Sequence, residues 1–215
     1  MDNNVPKPLT SIKLSADVLK SLSGSEKDIR TREEMLAIID RNIERQKRLV
    51  SDLLDISRIE TGNLKLSLEP VNLYDIIRES AGSMRKIAKE AGIPIHLDLQ
   101  GESPRITGDP DRLVQVFVNL IGNALKFTKE GEIRIWARMV HEHPEVRVSD
   151  TGIGIPPEEL DMIFDKFHQV DCGLTREVGG TGLGLAICKG IIEGHGGSIR
   201  AESEVGNGGV FVIVL

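Results

Sequence analysis

The chain has 215 residues, a formal net charge of −6 and 3 % aromatic residues. That length allows one large domain or two small ones, with aliphatic cores, and the charge excludes a general nucleic-acid binder, because nothing supplies a broad basic field. Apolar runs fall far short of the ~20 residues a membrane span needs, no signal peptide is read, and two cysteines without metal spacing, Cys172 and Cys188, point to a reducing cytosol.

Residues 1–63 read as a helical hairpin. Val5, Leu9, Ile12, Ala16 and Leu19 recur at heptad spacing, as do Leu36, Ile39, Ile43, Gln46, Val50, Leu53 and Ser57, with charged residues on the other faces. Ser21 to Ser25 interrupts the pattern, and Thr61-Gly62 stops the second helix. A lone hairpin buries such a seam poorly and two hairpins in a four-helix bundle bury it well, so a homodimer is expected.

From residue 64 the period changes. Leu64, Leu66 and Leu68 alternate with polar residues, as a half-buried strand does. A helix is expected over Val71–Ala91, with Ile76, Ile77, Ala81 and Met84 on one face, then a strand over Ile93–Leu99. Asp109-Pro110 is a side-chain cap followed by proline in the first turn, and it opens a helix carrying Leu113, Val116, Phe117, Leu120, Ile121 and Ala124. Strands at Ile133–Val140 and Val146–Val148, a helix at Glu158–Phe164, a glycine-rich loop, a helix at Leu183–Glu193 and strands at Ser198–Ala201 and Val210–Leu215 follow. Strands interleaved with helices predict an α+β fold for residues 64–215, a mixed sheet covered by helices on one face.

Three stretches carry chemistry. Asn119 and Asn123 lie four apart on one helix, with Lys126 near the same face. Two amides and an ammonium suit a hydrated Mg²⁺ with nucleotide phosphates, since Mg²⁺ keeps most of its waters; the plainer alternative is that both asparagines cap backbone. Asp150-Thr151-Gly152-Ile153-Gly154 closes an apolar strand with a carboxylate able to accept from an exocyclic amine, and the glycines let backbone approach a flat ring; an ordinary turn has the same form. Gly180-Thr181-Gly182-Leu183-Gly184 leads into a helix, an arrangement of N–H groups that takes an anion such as triphosphate. Between them, Phe164 to Gly180 is a long loop with Asp171, Cys172, Gly173 and Glu177, suited to a lid. Phe164 and Phe167 are either part of that lid or simple core residues. His141, His143, His168 and His195 lack metal-ligand spacing, and read as a hairpin tip, a loop base and a helix stop.

Together these stretches resemble the N, G1 and G2 boxes of the ATP-binding domain of sensor histidine kinases. Phe164-Asp165-Lys166-Phe167 looks like that family's F-box, Pro8-Leu9-Thr10-Ser11-Ile12 like the second half of its H-box, and residues 1–63 like its dimerisation and phospho-acceptor hairpin. The fold so implied is shared with DNA gyrase B, MutL and the large heat-shock chaperone. The resemblance implies ATP and Mg²⁺ as ligands, with Asn123 on the metal, Lys126 on phosphate, Phe127 near the adenine and Asp150 selecting it. It extends the ATP site to Asn119, Gly152, Gly154, Ile155, Phe167, Gly180, Thr181, Gly182, Leu183 and Gly184. Those relatives hydrolyse ATP with a glutamate where this chain has Asn119, so fast hydrolysis is not expected.

One box departs. Setting Pro8 on the family's proline puts Asn3 where the phospho-accepting histidine stands, Asn4 on its acidic neighbour and Lys7 on the Thr or Asn that assists dephosphorylation. An imidazole has a lone pair for the γ-phosphorus, whereas an amide nitrogen delocalises its own into the carbonyl. Pro6 and Pro8 also disfavour a continuous helix through Asn3. The expected function is the cytoplasmic kinase core of a two-component sensor, passing phosphate to a histidine and then to a response-regulator receiver domain, with self-phosphorylation disfavoured by Asn3. The alternative is an ATP-binding dimeric module that regulates another sensor kinase or a response regulator. A third, weaker reading is a serine kinase of the mitochondrial dehydrogenase-kinase type.

Overall fold

A computed structural model describes residues 7–22, 26–170 and 181–215. It divides into two compact units, the first running through Leu54 and the second from Asp55 to Leu215. Among the described residues no helix is long and apolar enough to cross a membrane.

The first unit contains α1 (Lys7–Ser21) and most of α2 (Glu26–Glu60). α2 holds neither glycine nor proline over 35 residues, and its end is closed as the sequence suggests. Gly62 adopts φ +65°, and the Asn63 N–H donates to the Arg58 carbonyl at 2.8 Å, so carbonyls of the last turn are satisfied. Leu36, Ile43, Val50 and Leu53 of the predicted seam are 40–55 % exposed.

The second unit is a layered α+β structure. A small antiparallel pair, β1 (Glu69–Asn72) and β3 (Arg105–Gly108), stands beside a five-stranded sheet made of β2 (Ile95–Leu99), β4 (Ile133–Val140), β5 (His143–Asp150), β6 (Ser198–Ser203) and β7 (Gly209–Val214). The order is β2-β4-β5-β7-β6; β2 runs parallel to β4 and the other pairs are antiparallel. Alternation puts Ile133, Ile135, Ala137, Val146, Val148, Phe211 and Ile213 on one face, and all seven join the buried core. Packed with them are α3 (Leu73–Ala91), α4 (Pro110–Phe127) and α5 (Gly184–Gly194). Leu113, Val116, Phe117, Leu120 and Ile121 of α4 are fully buried, each contributing about 1.5–3 kcal/mol relative to exposure. The opposite face carries Trp136, stacked by the guanidiniums of Arg138 and Arg147, 4.4 and 5.4 Å from its ring centre.

Both long helices of this unit begin on side-chain caps. Asn72 accepts from the Asp75 N–H at 3.1 Å and Asp109 from the Arg112 N–H at 3.1 Å, with Pro110 opening the first turn. At the tip between β4 and β5, His141 and Glu142 both have positive φ, the backbone a two-residue hairpin turn demands.

Three expectations do not hold. The helix expected from Val71 begins at Leu73, because Val71 and Asn72 pair with Ile106 and Arg105 in β1 and β3. Leu64–Leu68 is not a regular strand: Leu64 and Leu66 lie against Gly194, which produces the alternation, but the Ser67 N–H donates to the Asp109 carboxylate at 2.8 Å rather than to a ladder. Glu158–Phe164 is not a helix but one 3-10 turn, Pro157–Glu159, followed by turns. Pro156 and Pro157 lack N–H groups and the chain continues in tight bonds such as Met162 N–H to the Glu159 carbonyl at 2.9 Å.

Candidate nucleotide site

α4 and α5 set the frame and are tied at two places. At one end the Asp109 N–H donates to Nε2 of His195 at 2.9 Å, while the His195 Nδ1 lies 2.8 Å from the Ile191 carbonyl. Nε2 accepts, so the proton sits on Nδ1 and the ring is a neutral bridge. The other tie is Asn119, whose Nδ2 donates to the Gly184 carbonyl at 3.3 Å. A Cβ on Gly184 would come within 3.2 Å of the Asn119 Oδ1, so the N-box asparagine and the start of α5 are in direct contact. Asn123 and Lys126 continue this half-buried face of α4. The Lys126 ammonium lies 4.7 Å from the centre of the Phe127 ring, and burial pushes its pKa down from 10.5. A partly desolvated cation gains by meeting an anion.

Asp150 ends β5. Burial pushes its pKa up from 3.8, while backbone N–H groups of Gly152 and Gly209 hold it back; the Gly152 bond, to Oδ1, is 2.8 Å long. The following glycines are required by protein rather than by a ligand ring. A Cβ on Gly152 would fall 2.5 Å from the Phe127 carbonyl oxygen, and one on Gly154, at φ +72°, would fall 2.1 Å from that of Glu204. The end of α4 thus abuts the Asp150 turn, and the Ile153 N–H donates to the Phe127 carbonyl at 3.3 Å. Ile155 packs half-buried against the core.

Thr181, Gly182 and Leu183 precede α5. The Thr181 Oγ1 accepts from the Leu183 N–H at 3.1 Å, and Leu183 is buried. α5 has no side-chain cap at Leu183, which leaves its first N–H groups for an anion. Gly182 is at φ +69° with Phe167 backbone where a Cβ would lie, and the Phe167 N–H donates to the Gly182 carbonyl at 2.9 Å. The two aromatic residues of the predicted F-box part company. Phe164 packs edge-on against Phe211, with ring centres 6.3 Å apart, and is a core residue. Phe167 has φ +62° and a 63 % exposed side chain, beside the glycine turn.

The structure therefore joins Phe127, Asp150 and Gly152 at one end of α4, with Gly154 against Glu204 in the same loop, and joins Asn119 to Gly184 and Phe167 to Gly182 by direct contacts, with Asn123 and Lys126 on the helix between. Gly180, the loop residues Asp171, Cys172, Gly173 and Glu177, and Asn3 and Asn4 lie outside the described residues. His168 pairs with Glu159, and Lys166 with Glu60. Among the described residues no group of three or more His, Cys, Asp or Glu could hold a metal. A cation here would rely on amide oxygen, water and phosphate, an all-oxygen donor set that fits a hard divalent ion such as Mg²⁺. The partly desolvated Asp150 carboxyl and Lys126, with the uncapped start of α5, fit a nucleotide with an amino-bearing base and a polyanionic tail.

Two contributors escape the sequence reading. His195 reads as a helix stop, but also holds the start of α4. The turn after β6, Gly206-Asn207-Gly208-Gly209, supports the Asp150 loop, and its glycine density was the available signal.

Residues 7–62 match the family described as His Kinase A (phospho-acceptor) domain, and residues 108–215 match the Histidine kinase-, DNA gyrase B-, and HSP90-like ATPase family. The chain is 38 % identical to the circadian input-output histidine kinase CikA of Synechococcus elongatus, over 99 % of this chain and 28 % of that protein. It is 36 % identical to the sensor protein kinase WalK of Staphylococcus saprophyticus, over 97 % of this chain and 34 % of that one. It thus spans only about a third of such relatives. Full-length ShkA in complex with AMPPNP superposes with a TM-score of 0.77 at 28 % identity, covering 97 % of this chain and 46 % of that one. The histidine kinase ThkA in complex with the response regulator TrrA gives 0.68 at 26 % identity, covering 97 % and 57 %.

Proposed function

The chain belongs to the histidine kinase-, DNA gyrase B- and HSP90-like ATPases as a sensor histidine kinase core, and on that premise we propose that it binds MgATP between α4 and the turn before α5, for phosphoryl transfer to histidine. Residues 1–63 form the dimerisation hairpin in this reading and residues 64–215 the ATP-binding domain, in a cytoplasmic setting. The observation that carries it is that α4 touches both other sequence boxes, Gly184 through Asn119 and the Asp150 turn through the Phe127 carbonyl. Asp150 accepts a hydrogen bond from the adenine amino group, and Phe127 and Ile155 border the base. Asn119 sets the spacing of α4 and α5. Asn123 offers its side-chain oxygen to Mg²⁺, which supplies charge neutralisation on the phosphates when bound. Lys126 and the backbone of Thr181, Gly182, Leu183 and Gly184 face the phosphates, and the G2-box resemblance adds Gly180 to them. Such a site works by positioning and electrostatics rather than by bond-making side chains. The AMPPNP complex of ShkA supports the nucleotide assignment, and the ThkA complex supports a response regulator as partner.

A second reading rests on Asn3. With an amide in place of the acceptor imidazole, the chain acts as an ATP-binding regulatory dimer, or phosphorylates a histidine on another kinase. Incubation with γ-labelled MgATP tests both readings. Nucleotide binding by fluorescent-analogue titration, with no label on the chain itself, is expected. Acid-labile, base-stable label on a partner carrying an intact acceptor histidine separates a kinase acting in trans from a purely regulatory module. Acid-labile label on this chain alone means that Asn3 is not its acceptor position, and acid-stable label on a partner favours the serine-kinase reading.

A further inference from the structure

We propose that Ser203 is a positioning residue for base recognition, acting on Asp150 through the single peptide unit that joins Gly208 to Gly209. This rests on the nucleotide reading above. In register across the sheet, Ser203 of β6 faces Gly209 of β7, and Gly209 faces Asp150 of β5. Their side chains share the helix-covered face, and the middle position of the row has none. A Cβ built on Gly209 would lie 3.4 Å from the Ser203 Oγ and 3.6 Å from the Asp150 Oδ2.

The Ser203 hydroxyl donates to the Gly208 carbonyl at 2.6 Å. The N–H of the same peptide plane belongs to Gly209, whose Cα lies beside the carboxylate, with a Cβ built there 3.6 Å from Oδ2, and this N–H acts to hold the Asp150 pKa down. Pulling on the carbonyl at one side fixes the tilt of the plane and polarises the N–H at the other. Gly208 sits at φ +77° with the Asp150 carbonyl oxygen 2.0 Å from where a Cβ would lie, so only glycine lets this plane lie against the end of β5. The same hydroxyl accepts from the Ile155 N–H at 2.8 Å, and the Gly206 N–H donates to the Ile153 carbonyl at 2.8 Å. One oxygen therefore orients the Asp150 donor and clips down the loop that follows Asp150.

Ser203→Thr keeps the hydroxyl, whereas Ser203→Val has nearly the same shape without it, and both suit a strand. The test is titration of both with an ATP analogue and with the corresponding 6-oxo purine nucleotide, alongside thermal melts, in the natural and the Asp150→Asn backgrounds. Expected is a roughly tenfold loss of ATP affinity in Ser203→Val, the scale of an orphaned buried donor and acceptor. Ser203→Thr should stay within about twofold, and the 6-oxo nucleotide should lose little, so base selectivity falls. In the Asp150→Asn background the Val change should add almost nothing, since coupled sites are non-additive. Equal ATP affinity in the Val and Thr variants overturns the proposal, as does the same loss in both backgrounds, which marks a role in folding alone. If Ser203→Val does not fold, Ser203→Ala in the two backgrounds carries the comparison. Failure of the unaltered chain to bind ATP instead overturns the nucleotide reading itself, and this proposal with it.

Discussion

At the scale of single residues, Asp150 is the position where environment and proposed role coincide. Its carboxyl is partly withdrawn from water, and burial raises its pKa above 3.8 against the pull of two backbone donors. The sign follows from linkage: a carboxyl whose folded pKa is raised adds stability that is full below 3.8 and is lost as pH climbs through the folded value. At neutral pH the charge is therefore a local cost to the fold, and Asp150→Asn should melt no lower than the unaltered chain. The same substitution should weaken ATP binding roughly tenfold or more, by removing a charged acceptor; fluorescent-nucleotide titration with a thermal melt reads both. Acidification should erode ATP affinity from a pH above 3.8 upward of where an exposed aspartate would protonate. This residue was legible because Asp-x-Gly-x-Gly follows an apolar strand. The geometric reason for its glycines was not, because the neighbours they must avoid, the carbonyls of Phe127 and Glu204, are distant in sequence.

At the scale of elements, α4 and α5 form the frame, and their ties at Asn119–Gly184 and Asp109–His195 set its width. His195→Ala leaves the Asp109 N–H without its acceptor, at a cost of about 1–3 kcal/mol, so a lowered melting temperature is expected in calorimetry. His195→Gln, whose side-chain oxygen can accept from the same N–H, should recover part of it. Both helices were readable from their periodicity and from Asp109-Pro110. β3 was not, because four residues are too few to show alternation, and Leu64–Leu68 misled because one-sided packing on Gly194 imitates a strand. The ring of His195 illustrates a general limit: a side chain that both closes one helix and starts another reads locally only as the first.

At the scale of the whole molecule, Leu36, Ile43, Val50 and Leu53 of the predicted seam lie exposed, which a lone chain in water disfavours. A second copy is the occupant expected by the hairpin's match to phospho-acceptor domains. Light scattering should give a dimer, and Ile43→Asp should give a monomer whose second unit still binds ATP with unchanged affinity; a monomeric unaltered chain at micromolar concentration would count against the bundle. Tryptophan and tyrosine each occur once in the chain. Trp136 and Tyr74 both lie in the second unit, the former between two guanidiniums on the open side of the sheet. The molecule thus carries a built-in optical division of labour: indole emission follows melting of the nucleotide-binding unit alone, far-ultraviolet dichroism follows both units, and any gap between the two curves measures how independently the hairpin comes apart.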